Sequence, residues 1–189
     1  LPEKSIVYCC FNNHYKITPY IFNAWMNILK KVDKSIIWIY VDKKYAQENL
    51  KKEAKNREID PNRIKFAEKE NIEDHIERMK LADIFLDTWP YNAHTTASDA
   101  IRVGLPIVTL IGNSFASRVA ASILNTVKLN NLIAKKLEDY ENIAIELGKN
   151  KEKLQDIRDK LKSAENDSIL FDSSHFTKNL ENLFNELIL

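Results

Sequence analysis

His94, Thr95, Thr96 and Asp99 fall within one short stretch whose residue types could grip a phosphate. Ahead of them the apolar run Ile84-Phe85-Leu86 reads as a buried strand, and Trp89-Pro90-Tyr91-Asn92 as a polar loop; the hydroxyl residues then open a helix. The first turn of a helix has backbone N–H groups without intrahelical partners, and the helix dipole adds positive potential there, so a bound anion meets several donors and a favourable field. In an open α/β sheet, ligands sit at the carboxyl ends of the strands. The local expectation is therefore a phosphate-bearing ligand held around His94, Thr95 and Thr96. A structural reading stands beside it: Thr96 with Asp99 three residues on has the form of a capping box, and a capped helix start can also be an anion site.

The elements that must position these residues alternate regularly. Strands are expected at Ser5–Phe11, Ser35–Val41, Arg63–Ala67, Ala82–Asp87 and Ile107–Ile111. Helices are expected at Pro19–Lys31, after the second strand to about Arg57 (a lysine-rich amphipathic one), at Ile72–Lys80, at Thr95–Val103 and at about Ser117–Asn125. The first helix shows its start in sequence, with Thr18 as N-cap and Pro19 at the first helical position, and Ile21, Phe22, Trp25, Ile28 and Leu29 keep the spacing of a core-facing stripe. Gly104 supplies a left-handed stop and Pro106 starts the fifth strand. Near-continuous apolar strands separated by helices predict a parallel sheet covered on both faces. After Lys135 the pattern is purely helical, over roughly Leu137–Gly148, Lys151–Ser163 and His175–Ile188. The chain has 3 glycines and neither G-x-G-x-x-G nor a Walker A sequence, so neither standard phosphate loop is available.

Bulk properties exclude several classes. The 189 residues suffice for one well-buried domain without metal or disulfide staples. With 28 basic and 27 acidic residues the net charge is +1, which gives no broad field for a polyanion and argues against nucleic acid as the main partner. No apolar run approaches the ~20 residues that span a bilayer, so no membrane partner is expected. Cys9 and Cys10 are adjacent in a strand and point to opposite faces, which disfavours a mutual disulfide and reads as buried thiols in a reducing cytoplasm. The chain opens Leu1-Pro2-Glu3 without an initiator Met and is expected to be a piece of something larger.

The strand–loop–helix around His94-Thr95-Thr96, together with Phe11-Asn12-Asn13-His14-Tyr15-Lys16-Ile17 and Phe115-Ala116-Ser117-Arg118-Val119-Ala120-Ala121-Ser122, resembles the C-terminal half of the O-GlcNAc transferase and SPINDLY-type glycosyltransferases. The resemblance runs from about Ser5 to the end, in motif order and spacing. It implies a GT-B architecture, in which this chain is the Rossmann-like, doubly wound donor-binding lobe with a helical C-terminal tail. Residues 1–189 would form a single lobe, with an α/β core over 1–135 and helices over 136–189. An N-terminal lobe, usually preceded by tetratricopeptide repeats, would lie outside it. In GT-B folds the final helix often crosses back to the first lobe, so His175–Leu189 would lack part of its packing here.

Site residues follow from the same resemblance. Lys16 matches the lysine that contacts the donor diphosphate and stabilises charge on the leaving nucleotide, and is the expected catalytic residue. Asn13 stands where the family has a phosphate-binding glutamine, with a shorter reach. Thr95 and Thr96 match the paired threonines at the donor phosphates, His94 the histidine beside sugar and phosphates, and Asp99 the aspartate near the ribose hydroxyls. His75 and Arg78, three apart on one helix face, match the groups that hold uracil. A family lysine that contacts ribose falls near Ile72, its interaction lost or moved to Lys69. The glycines flanking His-Thr-Thr are Ala93 and Ala97 here; alanine serves unless the backbone needs positive φ. Arg118 fits the motif and could be structural or ligand-facing. Trp25, Trp38 and Trp89 read as packing residues, and His14 and His175 carry no motif.

The implied reaction is inverting, metal-independent transfer of a sugar, N-acetylglucosamine from UDP-GlcNAc, to Ser or Thr of a protein acceptor. The nucleotide sugar is substrate, no cofactor or metal is expected, and the lobe alone should turn over little or nothing. Two alternatives stay open: the same fold with GDP-fucose or UDP-glucose, and a non-catalytic nucleotide-binding or interaction module. The joint presence of Lys16, His94, Thr95, Thr96 and Asp99 argues against the last.

Overall fold

A computed structural model describes residues 5–188; the Leu1-Pro2-Glu3 opening and Leu189 at the end of the expected tail lie outside the described residues. Six strands, β1 (Ile6–Cys10), β2 (Ser35–Tyr40), β3 (Ile64–Ala67), β4 (Ile84–Leu86), β5 (Ile107–Leu110) and β6 (Ile133–Ala134), form one sheet in the order β3-β2-β1-β4-β5-β6. Every pairing is parallel, with Tyr8 opposite Ile37 on one side and Ile84 on the other. The order reverses between β1 and β4, which makes that junction the switch point of a doubly wound Rossmann-like fold.

Helices cover the sheet: α1 (Pro19–Lys31), α2 (Lys44–Asn56), α3 (Ile72–Met79), α4 (Thr95–Arg102), α5 (Val119–Thr126) and α6 (Leu137–Lys149), with α7 (Lys151–Asp167) and α8 (Ser173–Ile188) following as the helical C-terminal tail. The first helix forms as its sequence directs. Thr18 accepts from the Ile21 N–H, Pro19 occupies the first turn, and all five stripe residues are buried. Each such side chain contributes about 1.5–3 kcal/mol of burial. Because helices pack on both faces, β1 is buried from Val7 through Cys10 without alternation. Both cysteines are free and buried.

Two features depart from expectation. The sheet has a sixth strand, β6, only two residues long and preceded by a single 3-10 turn at Asn130–Leu132, too short to leave a periodic signal. The helix expected from Ser117 starts at Val119 after a 3-10 turn over Phe115–Ser117, in which Ser114 and Ser117 cap one another. Gly104 has φ +74° and ends α4 as predicted. Gly148 lies where α6 crosses β1; a Cβ there would run into the Tyr8 hydroxyl, which donates to the Ala144 carbonyl at 2.9 Å.

Candidate functional site

The carboxyl ends of β1 and β4 bring the two sequence motifs face to face. Past β1, residues 14–16 form a 3-10 turn that swings Lys16 toward the loop after β4. Its ammonium donates to the Asn92 carbonyl at 3.0 Å and lies 3.8 Å from the centroid of the Tyr91 ring. Partial burial pulls the Lys16 pKa below its usual value, an effect opposed by the negative charge of Asp87. Asn13 is exposed and its side chain folds back toward the Tyr15 N–H at 3.5 Å, so it caps the turn.

Beyond β4 the chain makes a tight loop, with a cis Trp89-Pro90 peptide, and enters α4 at Thr95. The capping-box expectation for Thr96 and Asp99 is not met. His94 is the N-cap residue, no side chain caps this end, and Thr96 already lies inside the first turn. Among the described residues the N–H groups of Thr95 and Thr96 donate to nothing. The Asp99 carboxylate, half-buried, accepts no hydrogen bond there either, and burial raises its pKa against the pull of Arg102. The helix end is thus open to an anion: His94, Thr95 and Thr96 form its start, Asp99 lies one turn further along α4, and Lys16 is bonded to the Asn92 carbonyl just before it. Ala93 and Ala97 are buried with negative φ, so no glycine is needed at either.

His75 and Arg78 form a second group past β3. Arg78 donates through Nε to His75 Nδ1 at 3.0 Å and through a terminal nitrogen to the Glu68 carbonyl, while its guanidinium lies 4.9 Å from the Phe11 ring centroid. Because Nδ1 accepts, a neutral His75 carries its proton on Nε2. Burial and the neighbouring guanidinium both lower its pKa, which favours that neutral form. The His75 ring meets Phe11 edge-on at 5.6 Å, so Phe11, at the end of β1, links this group to the switch point. Ile72 and Lys69 are exposed.

Sequence reasoning missed the polar floor of the site. Asp87, fully buried at the end of β4, accepts at Oδ1 from the Thr88 N–H (2.8 Å), the Ala93 N–H (2.7 Å) and Asn12 Nδ2 (3.1 Å), and at Oδ2 from the Thr109 hydroxyl (2.7 Å). Asn92 donates to the Thr88 carbonyl at 2.7 Å. The available signal was position: Asn12 and Asp87 are the first polar residues after two apolar strand cores.

Among the described residues, the buried side-chain polar atoms without a hydrogen-bond partner are Asn12 Oδ1, Trp89 Nε1, Asn92 Oδ1, His94 Nε2 and His14 Nδ1, the last of which lies 3.5 Å from Asp42 Oδ1. All five lie in the segments that follow β1 and β4. Buried polar groups are rarely left unsatisfied, and a cluster of them marks where a ligand would complete the bonding. Arg118 is exposed just before α5, and its guanidinium makes no bond among the described residues. Trp25 is core, donating to the Tyr140 hydroxyl at 3.0 Å, while Trp38 packs on Phe11 and Trp89 on Tyr20. His175 is exposed on α8. No group of three or more His, Cys, Asp or Glu capable of holding a metal occurs among the described residues, and no helix among them is long and apolar enough to cross a membrane.

A doubly wound sheet with an open helix N-terminus at its switch point is the frame of a nucleotide-binding lobe. The chain belongs to glycosyl transferase family 41, whose family description matches residues 1–180. It is 38% identical over 187 residues to a UDP-N-acetylglucosamine--peptide N-acetylglucosaminyltransferase of Caenorhabditis elegans, covering 99% of this chain and 16% of that protein. It is 37% identical over 182 residues to the probable UDP-N-acetylglucosamine--peptide N-acetylglucosaminyltransferase SEC of Arabidopsis thaliana, covering 96% and 19% respectively. Among solved structures, a mutant O-GlcNAc transferase of Thermobaculum terrenum superposes with TM-score 0.92 at 25% identity, over 98% of this chain and 38% of that one. The chain therefore spans a fifth or less of the length of these curated relatives.

Proposed function

We propose that this chain is the donor-binding lobe of a protein O-glycosyltransferase that transfers N-acetylglucosamine from UDP-GlcNAc to Ser or Thr, with inversion and without a metal. The observation that carries this reading is the set of unpartnered polar atoms at the switch point, Asn12 Oδ1, Asn92 Oδ1 and His94 Nε2 foremost, beside the uncapped start of α4. The names of the relatives supply the donor and the acceptor class.

In this reading the diphosphate sits on the N–H groups of Thr95 and Thr96, with Lys16 alongside. As a Ser or Thr hydroxyl displaces the nucleotide in line at the anomeric carbon, negative charge grows on the departing diphosphate. A preorganised ammonium and a helix dipole stabilise that charge more than they stabilise the bound donor, which lowers the barrier. Asp99 would accept from the ribose hydroxyls. A neutral His75, with its Nε2–H free and Arg78 behind it, would face the base.

Tyr15, Tyr91 and Phe115 stand exposed around the mouth of the site, and the α8 face carrying Phe176, Leu180, Leu183, Phe184 and Leu187 is exposed as well. An N-terminal lobe of the same polypeptide would cover both surfaces and contribute the acceptor site. The buried thiols of Cys9 and Cys10 suit a reducing, cytoplasmic setting.

Calorimetric titration with UDP, UMP and GDP tests this reading. UDP is expected to bind more tightly than UMP and GDP. Preference for GDP would shift the donor to a GDP-sugar, and a folded chain that binds none of the three would overturn the nucleotide reading.

A further inference from the structure

The loop between β4 and α4 closes on a single atom. The N–H groups of Thr88, near its start, and Ala93, near its end, both donate to Asp87 Oδ1, at 2.8 and 2.7 Å. The same carboxylate takes Asn12 from the β1 loop and Thr109 from β5, so three strands' carboxyl ends meet at it. The two residues that hold the ligand-facing groups are its direct dependants. Ala93 precedes His94, which opens α4, and Asn92 offers the carbonyl that anchors Lys16.

This carboxyl group is fully buried and forms no salt bridge among the described residues; its four donors are all uncharged groups. Burying an unpaired carboxylate is costly, and a connection between a strand and a helix does not require one. An amide of the same shape could accept the two backbone N–H groups at a lower desolvation cost. What the carboxyl group offers is reach: its two oxygens accept from four groups that belong to three strand ends, and so tie the loop to β1 and β5 as well as to α4.

We propose that Asp87 is a positioning residue for the donor diphosphate: by gathering Asn12, Thr88, Ala93 and Thr109 around one carboxylate, it sets the loop that aims the N-terminus of α4 and holds Lys16 in place. The proposal rests on the reading of this site as a nucleotide-diphosphate pocket. It assigns Asp87 no contact with the substrate.

The test is UDP and UMP titration of the wild-type chain and of Asp87→Ala, Asp87→Asn and Thr109→Val, each first checked for cooperative thermal unfolding. Asp87→Ala is expected to lower UDP affinity at least about tenfold while changing UMP affinity much less, so that the advantage of the second phosphate collapses. Asp87→Asn should recover most of the loss, to within about threefold of wild type, because its carbonyl still accepts from both loop ends. Thr109→Val keeps the side-chain volume and removes one donor, and a loss of about threefold for UDP is expected there too. If Asp87→Ala does not fold, Thr109→Val and Asp87→Asn decide the matter. UDP affinity equal to wild type in Thr109→Val and Asp87→Ala, or equal losses for UDP and UMP, would overturn the positioning role alone. A folded wild type that binds no UDP would overturn the nucleotide reading and this role with it.

Discussion

The ammonium of Lys16 donates to the carbonyl of Asn92 at 3.0 Å, joining residues 76 positions apart across the junction where the sheet reverses its order. A backbone oxygen occupies part of the lysine's hydrogen-bonding capacity, and Tyr91 shields one side of it. An ammonium has three donors, so a phosphate can be added without breaking this anchor. Lys16→Ala is expected to weaken UDP binding by about 1–3 kcal/mol, the range for hydrogen bonds to charged groups, with little change in thermal stability. Calorimetry beside a melting curve checks both.

The two helix starts near the site should respond in opposite ways. Thr18 caps α1 and its hydroxyl also donates to the Trp89 carbonyl at 3.1 Å, so Thr18→Ala is expected to cost about 1 kcal/mol of stability. His94 makes no cap bond. His94→Ala should leave stability within about 0.5 kcal/mol and reduce UDP affinity instead. Denaturant unfolding and titration of the two variants separate a structural start from a ligand-facing one.

Asp87 predicts a pH dependence of stability. Burial raises its pKa from 3.8 to about 7, while Cys10 and Tyr140, pushed upward by burial, stay neutral nearby. Between these pH values the folded state holds a proton that the unfolded chain has lost, so this group makes stability fall as pH rises from about 4 to about 7. A difference of about 3 pH units corresponds to roughly 4 kcal/mol. Asp87→Asn should flatten this part of the profile and melt higher than wild type at pH 8. Melting curves from pH 5 to 8 would refute this if the two proteins keep parallel profiles.

Gly148 offers a packing test away from the ligand. An added Cβ meets the Tyr8 hydroxyl in the core, so Gly148→Ala is expected to destabilise the chain by about 1–3 kcal/mol, despite alanine's better helix propensity. Unfolding in urea measures it.

The apolar face of α8 can be tested directly. Leu183 and Leu187 are 56% and 81% exposed, so Leu183→Glu with Leu187→Glu should lower binding of an apolar dye without lowering the melting temperature. A clear loss of stability would mean that this face is packed within the lobe.

Much of this fold could be read from residue patterns because its elements announce themselves locally. Thr18-Pro19 and the stripe through Leu29 specify α1, and the apolar cores of β1, β2 and β5 are long enough to stand out. β6 was illegible because two residues carry no period, and it exists only by pairing Ile133 and Ala134 with Thr109 and Leu110. The site divided along the same line. His94, Thr95, Thr96 and Lys16 stood out in recognisable motifs, and the Lys16–Asn92 bond links the segment after β1 to the loop that leads into α4. Asp87, Asn12 and Thr109 escaped notice because their importance lies in meeting one another across three strands. The capping-box pattern at Thr96 misled for a related reason: the loop hung from Asp87 starts the helix earlier, at His94.

Tyr140 has a consequence for where such lobes can be exchanged. From α6 it donates to the Asp87 carbonyl at 2.9 Å while receiving the indole N–H of Trp25. The residues after 135 thus reach under the pocket from behind, and a chimera joined there would receive its pocket from one parent and the support beneath it from another. Such a hybrid would inherit the motifs intact and still misplace the loop. A crossover between relatives preserves the module only when α6 travels with the strands it underpins.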